Sequence, residues 1–223
     1  MGDQGTVLYL MRHGQTAWNV EEVFRGRADV PLDDTGHRQA QALALALTGE
    51  SVAAVYASPL SRAALTAAPI AEAHDLKVEF DGRLTDLDFG AWEGKPLSEV
   101  RRAWPDLFAQ WERAPGTVSF PGGESLPIVR ARAAAAIEEL AETHAGKTVA
   151  VVSHRVVTKV LICHVLGLDD SHFWQIRQDT ACINRLERTG GKWVIVAMND
   201  VCHLRDSAAA PRLSSPKSGR RDF

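Results

Sequence analysis

The chain has 223 residues, 45% hydrophobic and 24% charged, with a formal net charge of −3. That length holds one large α/β domain with a sizeable core, and the slightly acidic balance excludes a nucleic-acid partner held by bulk positive charge while leaving room for a local basic pocket. No apolar stretch reaches the ~18 residues of a membrane helix, and Cys163, Cys182 and Cys202, odd in number and widely spaced, exclude a disulfide framework or zinc site. With no basic leader before the short apolar run at residues 7–11, the expected location is the cytoplasm.

The first predicted element is a strand, Leu8-Tyr9-Leu10-Met11, that stops at Arg12-His13-Gly14. Ligands of open α/β sheets bind beyond the carboxyl ends of such strands. Arg12 suits phosphate or carboxylate, His13 can be a nucleophile or proton carrier near neutral pH, and Gly14 permits close backbone approach. A turn-rich loop (residues 23–32) follows, then a helix over residues 37–48 ended by Gly49. Residues 52–57 read as a short strand, and Ser58 or Ser61 is expected to cap the next helix, with Pro59 in its first turn. Residues 76–80 read as another strand, and residues 96–115 as one or two helices whose Val100, Trp104, Leu107, Phe108 and Trp111 form an apolar face, core or lid. A long Ala- and Arg-rich helix is expected over residues 126–144.

Residues 147–154 form the second informative strand, a β-branched run that again ends in a histidine, His154. Two strands can therefore deliver histidines to one sheet edge. A helix over residues 156–166 with Gly167 as C-cap follows, then a hairpin of residues 181–186 and 193–198 joined through Gly190-Gly191. From Asp206 the composition loses apolar periodicity, so residues 1–205 are expected to be one catalytic domain and 206–223 a disordered tail.

Several stretches together resemble the histidine phosphatase superfamily, the phosphoglycerate-mutase-like family. They are Leu10-Met11-Arg12-His13-Gly14-Gln15-Thr16-Ala17-Trp18-Asn19, the Phe24-Arg25-Gly26 loop, Ser58-Pro59-Leu60-Ser61-Arg62-Ala63-Ala64-Leu65-Thr66-Ala67, Leu84 to Gly94, Gly122-Gly123-Glu124-Ser125 and Val152-Ser153-His154. The resemblance implies a three-layer α/β/α sandwich with a mostly parallel central sheet. It implies that His13 attacks phosphorus, that Arg12, Arg62 and His154 stabilise the phosphoryl oxygens, and that Asn19, Arg25 and Gly26 join the substrate contacts, to which Arg155 is added as this chain's own candidate. Gly-Gly-Glu-Ser is implied as pocket wall. The proton donor falls on Asp86, where glutamate is more frequent, so its reach is about 1.5 Å shorter; Asp88 is the reserve. Arg155 stands where glycine is usual, either capping the pocket toward an acidic part of the substrate or turning into solvent.

The implied activity is metal-independent hydrolysis of a small phosphomonoester, with no cofactor, because arginines supply the positive charge. A metal reading of the two histidines fails, since a cation would sit beside two permanent positive charges. The alternatives are a cofactor-dependent phosphoglycerate mutase and a non-catalytic phosphate-binding module. Only residues 95–121 separate Gly94 from Gly122, shorter than the insertion of the mutases, and this favours hydrolysis. Specificity is expected from residues 96–125 and Arg155, and a homodimer would be unsurprising for the family.

Overall fold

The computed structural model describes residues 5–205, so the expected tail at 206–223 lies outside the described residues. In chain order the strands are β1 (Thr6–Arg12), β2 (Val52–Ala57), β3 (Val78–Phe80), β4 (Thr148–Ser153), β5 (Ile183–Thr189) and β6 (Lys192–Asp200). The helices are α1 (Ala17–Val20), α2 (Asp34–Leu47), α3 (Ser61–Ala73), α4 (Leu97–Ala103), α5 (Pro105–Arg113), α6 (Leu126–Thr143) and α7 (Arg155–Val165). The strands form one sheet in the order β3-β2-β4-β1-β5-β6. The first four are mutually parallel, and β5 and β6 are antiparallel to their neighbours.

Alternation along the central strands builds the layers. Leu8 and Leu10 of β1, with Val149 and Val151 of β4, face a core made with α6, α7 and the aromatics of α5. Tyr9 and Met11, with Ala150 and Val152, face the opposite core against α2 and α3. Strands covered on both faces must be apolar throughout, which explains their unbroken hydrophobic runs. Leu8, Leu10, Val149 and Val151 are fully buried, and truncating such a leucine to alanine costs about 2–5 kcal/mol. The architecture is the expected three-layer sandwich. Among the described residues, no helix is long and apolar enough to cross a membrane.

Two local expectations are corrected. Neither Ser58 nor Ser61 caps α3 through its side chain, and Pro59 precedes the helix rather than entering its first turn. Ser61 is already helical, and its free amide is satisfied instead by Asp29 Oδ1 at 2.7 Å, from the loop after β1. The Ser58 hydroxyl is engaged by His154. The late hairpin forms as expected, turning at Gly190 and Gly191 with φ of 58° and 74°, values that suit a two-residue turn between twisted strands.

Candidate active site

Register places the site. Arg12 of β1 pairs with Ser153 of β4, so the next residues, His13 and His154, leave adjacent strands at the same edge. The His13 amide extends the ladder to Ser153 O at 3.0 Å, and the Ser58 amide, one residue past β2, does the same to Val152 O at 3.0 Å. The two imidazoles lie 5.2 Å apart between ring centroids, tilted by 57°. Gly14 is required here because a Cβ would run into the Gly36 backbone of α2.

His13 is 1% exposed. Its Nδ1 lies 2.7 Å from Gly14 O. A carbonyl can only accept, so Nδ1 carries the proton and Nε2 carries the lone pair. Nε2 is buried and has no hydrogen-bond partner among the described residues. Burial, and then the Arg62, His154, Arg12 and Arg25 charges, push the His13 pKa well below its ordinary value. The result is a neutral imidazole with a bare nucleophilic nitrogen. His154 is also fully buried and held neutral, first by burial and then by Arg62, Arg25, Arg132 and Arg12. Asp86 Oδ2 lies 3.7 Å from His154 Nδ1, too far for a hydrogen bond, and its pull does not offset burial and the arginines. His154 Nε2 is 2.8 Å from Ser58 Oγ.

The arginines are pinned by backbone carbonyls. Arg12 Nη1 donates to Gln178 O at 2.6 Å. Arg62, fully buried on the first turn of α3, donates to Ala28 O at 2.8 Å and Gly26 O at 2.7 Å, and reaches Asp86 Oδ2 at 3.4 Å. Burial lowers the Arg62 pKa, and Asp86 works against that. Asp86 Oδ1 accepts from Leu87 N at 3.0 Å. Asp88 turns elsewhere: its Oδ1 accepts from Gly90 N at 2.8 Å and its Oδ2 lies 3.8 Å from Arg27.

Two supports carry no signal in the sequence, and a third, Thr66, lies in the Ser58–Ala67 motif with no role assigned to it there. Arg132 of α6 donates to Arg83 O, Thr85 O and Asp86 O at 2.7, 2.6 and 3.0 Å and pairs with both Glu124 oxygens. It clamps the segment that carries Asp86. Asn184 and Gln178 exchange side-chain hydrogen bonds at 2.9 and 2.8 Å and thereby fix the loop whose carbonyl holds Arg12. Thr66 Oγ1 accepts from Gly14 N at 3.0 Å and donates to Arg62 O at 2.7 Å, joining the two anion-binding segments. An arginine in an Ala-rich helix or a polar residue in a late strand looks ordinary until its partners are known. The Gly-Gly-Glu-Ser turn, expected as pocket wall, acts as a support instead: Glu124 accepts from Asp88 N at 3.1 Å and pairs with Arg132, and it does not line the cavity.

A cavity of about 390 Å³, its open mouth included, is lined by Glu22, Val23, Phe24, Arg25, Gly26, Asp86, Phe89, Arg155 and Val156; Asp86 is the one residue it shares with the buried cluster of His13, His154, Arg12 and Arg62. Arg155 therefore faces the cavity rather than turning away. Gly26, at φ 50°, contributes its carbonyl to Arg62, and a Cβ there would strike the Glu93 carboxylate. Asn19 stands apart: its Oδ1 accepts from the Thr16 amide and hydroxyl, both at 2.9 Å, and so caps α1. None of residues 96–125 lines this cavity. Phe108 and Trp111 pack inward on Trp92, Phe89 and Phe120 as core.

Histidines at adjacent strand ends, with buried arginines and a carboxylate around them, define a phosphoryl-transfer class of protein. The profile of the histidine phosphatase superfamily (branch 1) matches residues 8–201, and the chain belongs to that superfamily. It is 38% identical to phosphoserine phosphatase 1 of Hydrogenobacter thermophilus, over 88% of this chain and 93% of that protein. It is 30% identical to a probable phosphoglycerate mutase GpmB of Yersinia enterocolitica, over 88% and 94%. Among solved structures, Bacillus stearothermophilus YhfR superposes with a TM-score of 0.86 at 33% identity, covering 89% of this chain and 99% of that one. The chain is a phosphatase of the histidine phosphatase superfamily acting on phosphomonoesters.

Proposed function

We propose that this chain hydrolyses small phosphomonoesters through a phosphohistidine on His13, without a metal or cofactor. The observation that carries the reading is the tautomer of His13: Nδ1–H donates to Gly14 O at 2.7 Å while the buried Nε2 has no partner among the described residues. The Nε2 lone pair attacks phosphorus, the P–O bond to the alcohol breaks, and Asp86 gives its proton to the departing oxygen. The Gly14 carbonyl then stabilises the Nδ1–H of the phosphorylated ring. Arg12, Arg62 and His154 surround the equatorial oxygens, where negative charge is held in the transition state. Water then attacks phosphorus, Asp86 accepts its proton, the P–N bond breaks and phosphate leaves.

Hydrolysis is favoured over the mutase reaction by the short segment between Gly94 and Gly122. The buried free thiols of Cys163 and Cys182 support a cytoplasmic setting, and the expected assembly is a homodimer that binds no nucleic acid. The deciding experiment is turnover of p-nitrophenyl phosphate in excess EDTA, combined with rapid quenching of a ³²P-labelled substrate. The expected result is phosphate release and an acid-labile, base-stable phosphoprotein that is missing in His13→Ala. Label retained by His13→Ala would remove His13 as nucleophile. Transfer of phosphate to a second hydroxyl of phosphoglycerate, without net release, would replace the phosphatase reading with the mutase one.

A further inference from the structure

We propose that Glu93 is a positioning residue for the phosphoryl pocket: its carboxylate locks the Gly26–Arg27 peptide in the orientation that turns the Gly26 carbonyl onto Arg62. The inference rests on the phosphatase reading, in which Arg62 holds phosphoryl oxygens.

Glu93 closes the Leu84 to Gly94 stretch together with Gly94, is half-buried, and does not line the cavity. Its Oε1 accepts from two backbone amides of different loops, Arg27 N at 2.7 Å and Phe89 N at 3.2 Å. Gly26 makes room for that oxygen, since a Cβ there would collide with it.

The amide of Arg27 and the carbonyl of Gly26 belong to one planar peptide unit, so fixing one end fixes the other. The carbonyl end accepts from Arg62 Nη2 at 2.7 Å. Glu93 and Arg62 therefore grip opposite ends of the same peptide. Such a lock is needed at this position, because the peptide follows a glycine at φ 50°, and glycine leaves the backbone free to rotate. The same loop meets α3 at two further points, Ala28 O accepting from Arg62 Nη1 at 2.8 Å and Asp29 Oδ1 accepting from Ser61 N at 2.7 Å. A rotated Gly26–Arg27 peptide would withdraw one of the two carbonyls that hold the guanidinium. Burial raises the Glu93 pKa even against the two amides, so the site calls for an acceptor oxygen at this reach rather than for a negative charge.

Arg132 and Glu93 thus divide the work. Arg132 clamps the carbonyls around Asp86, and Glu93 acts on the anion-binding side.

The test separates reach from charge. Glu93→Gln keeps the acceptor and loses the charge, whereas Glu93→Asp keeps the charge and falls short by about 1.5 Å. Affinity for inorganic phosphate is measured by calorimetry on wild type and both variants. Glu93→Gln should stay within about threefold of wild type, and Glu93→Asp should bind phosphate on the order of tenfold more weakly, the worth of one hydrogen bond at the guanidinium. KM should rise in parallel, with the dependence of kcat on leaving-group basicity unmoved. In an Arg62→Lys background, where one ammonium cannot use both carbonyls, the Glu93→Asp penalty should shrink to about threefold or less. Equal phosphate affinities in Glu93→Gln and Glu93→Asp, or an undiminished penalty with Arg62→Lys, would overturn the assignment. So would a leaving-group dependence shifted toward that of Asp86→Asn, which would put Glu93 behind the acid through Phe89. Failure of the phosphatase reading is seen separately: wild type would release no phosphate from p-nitrophenyl phosphate while the phosphate affinities still follow the expected order.

Discussion

The inner pocket and the outer cavity are built on opposite plans. Inside, the anchoring atoms have fixed protein partners, Gly14 O setting the His13 tautomer, Gln178 O holding Arg12 and the carbonyls of Gly26 and Ala28 holding Arg62, while His13 Nε2 has none among the described residues. One layer out, Arg25 is buried with no acceptor among the described residues. The phosphoryl pocket is therefore preorganised, so little reorganisation is needed at the moment of reaction. Asp86 borders both regions, lining the cavity and reaching Arg62.

The largest effect that would sharpen this contrast comes from the nucleophile. His13→Ala should lower kcat by on the order of 10⁵-fold, as removal of a catalytic nucleophile does elsewhere, and steady-state phosphate release measures it. Asp86→Asn should cost about 10²- to 10⁴-fold. A Brønsted plot over substituted phenyl phosphates checks its role, because the loss should grow as the leaving group becomes more basic. Asp88→Asn should stay within about threefold, since Asp88 caps Gly90 N and lies outside the pocket. A steeper Brønsted slope in Asp88→Asn than in Asp86→Asn would reverse the assignment.

Arg132→Met probes whether preorganisation depends on the clamp behind Asp86. Its expected cost is about tenfold to a hundredfold in kcat, with a leaving-group dependence that moves toward that of Asp86→Asn and little change in KM. Arg132→Lys should not rescue it, because a single ammonium cannot reproduce the fork that spans the carbonyls and Glu124. A purely structural residue would alter the melting temperature but leave the Brønsted slope unmoved.

The smallest expected effect is in stability against pH. The folded pKa values of His13 and His154 are depressed below the ordinary 6.5. Above that value both states hold neutral imidazoles and stability is full. As pH falls below it the unfolded chain takes up protons that the folded pocket refuses, so stability drops by up to about 1.4 kcal/mol per pH unit per histidine. Urea unfolding at about pH 7.5 and pH 5 should register that decline, and His13→Asn should flatten part of it. An unchanged difference in the variant would mean that the inner pocket is not closed to protons as described.

The sequence by itself determined the sheet and pointed to the reacting groups proposed above. Unbroken apolar runs ending in His13 and His154 specify buried parallel strands, because only strands covered on both faces are apolar throughout. Arg62 and Asp86 were legible through recurring motifs and their charge. What only the tertiary structure decided is which polar groups have partners. Asp29 caps α3 from a distant loop, Arg132 reaches three carbonyls of another segment, Phe108 and Trp111 turn into the core, and the buried Arg25 Nε has no partner among the described residues. Hydrophobic periodicity is local and repeats along the chain, so one sequence reveals it. A hydrogen bond or an unmatched charge depends on atoms brought together from remote positions, and only the folded chain sets those distances.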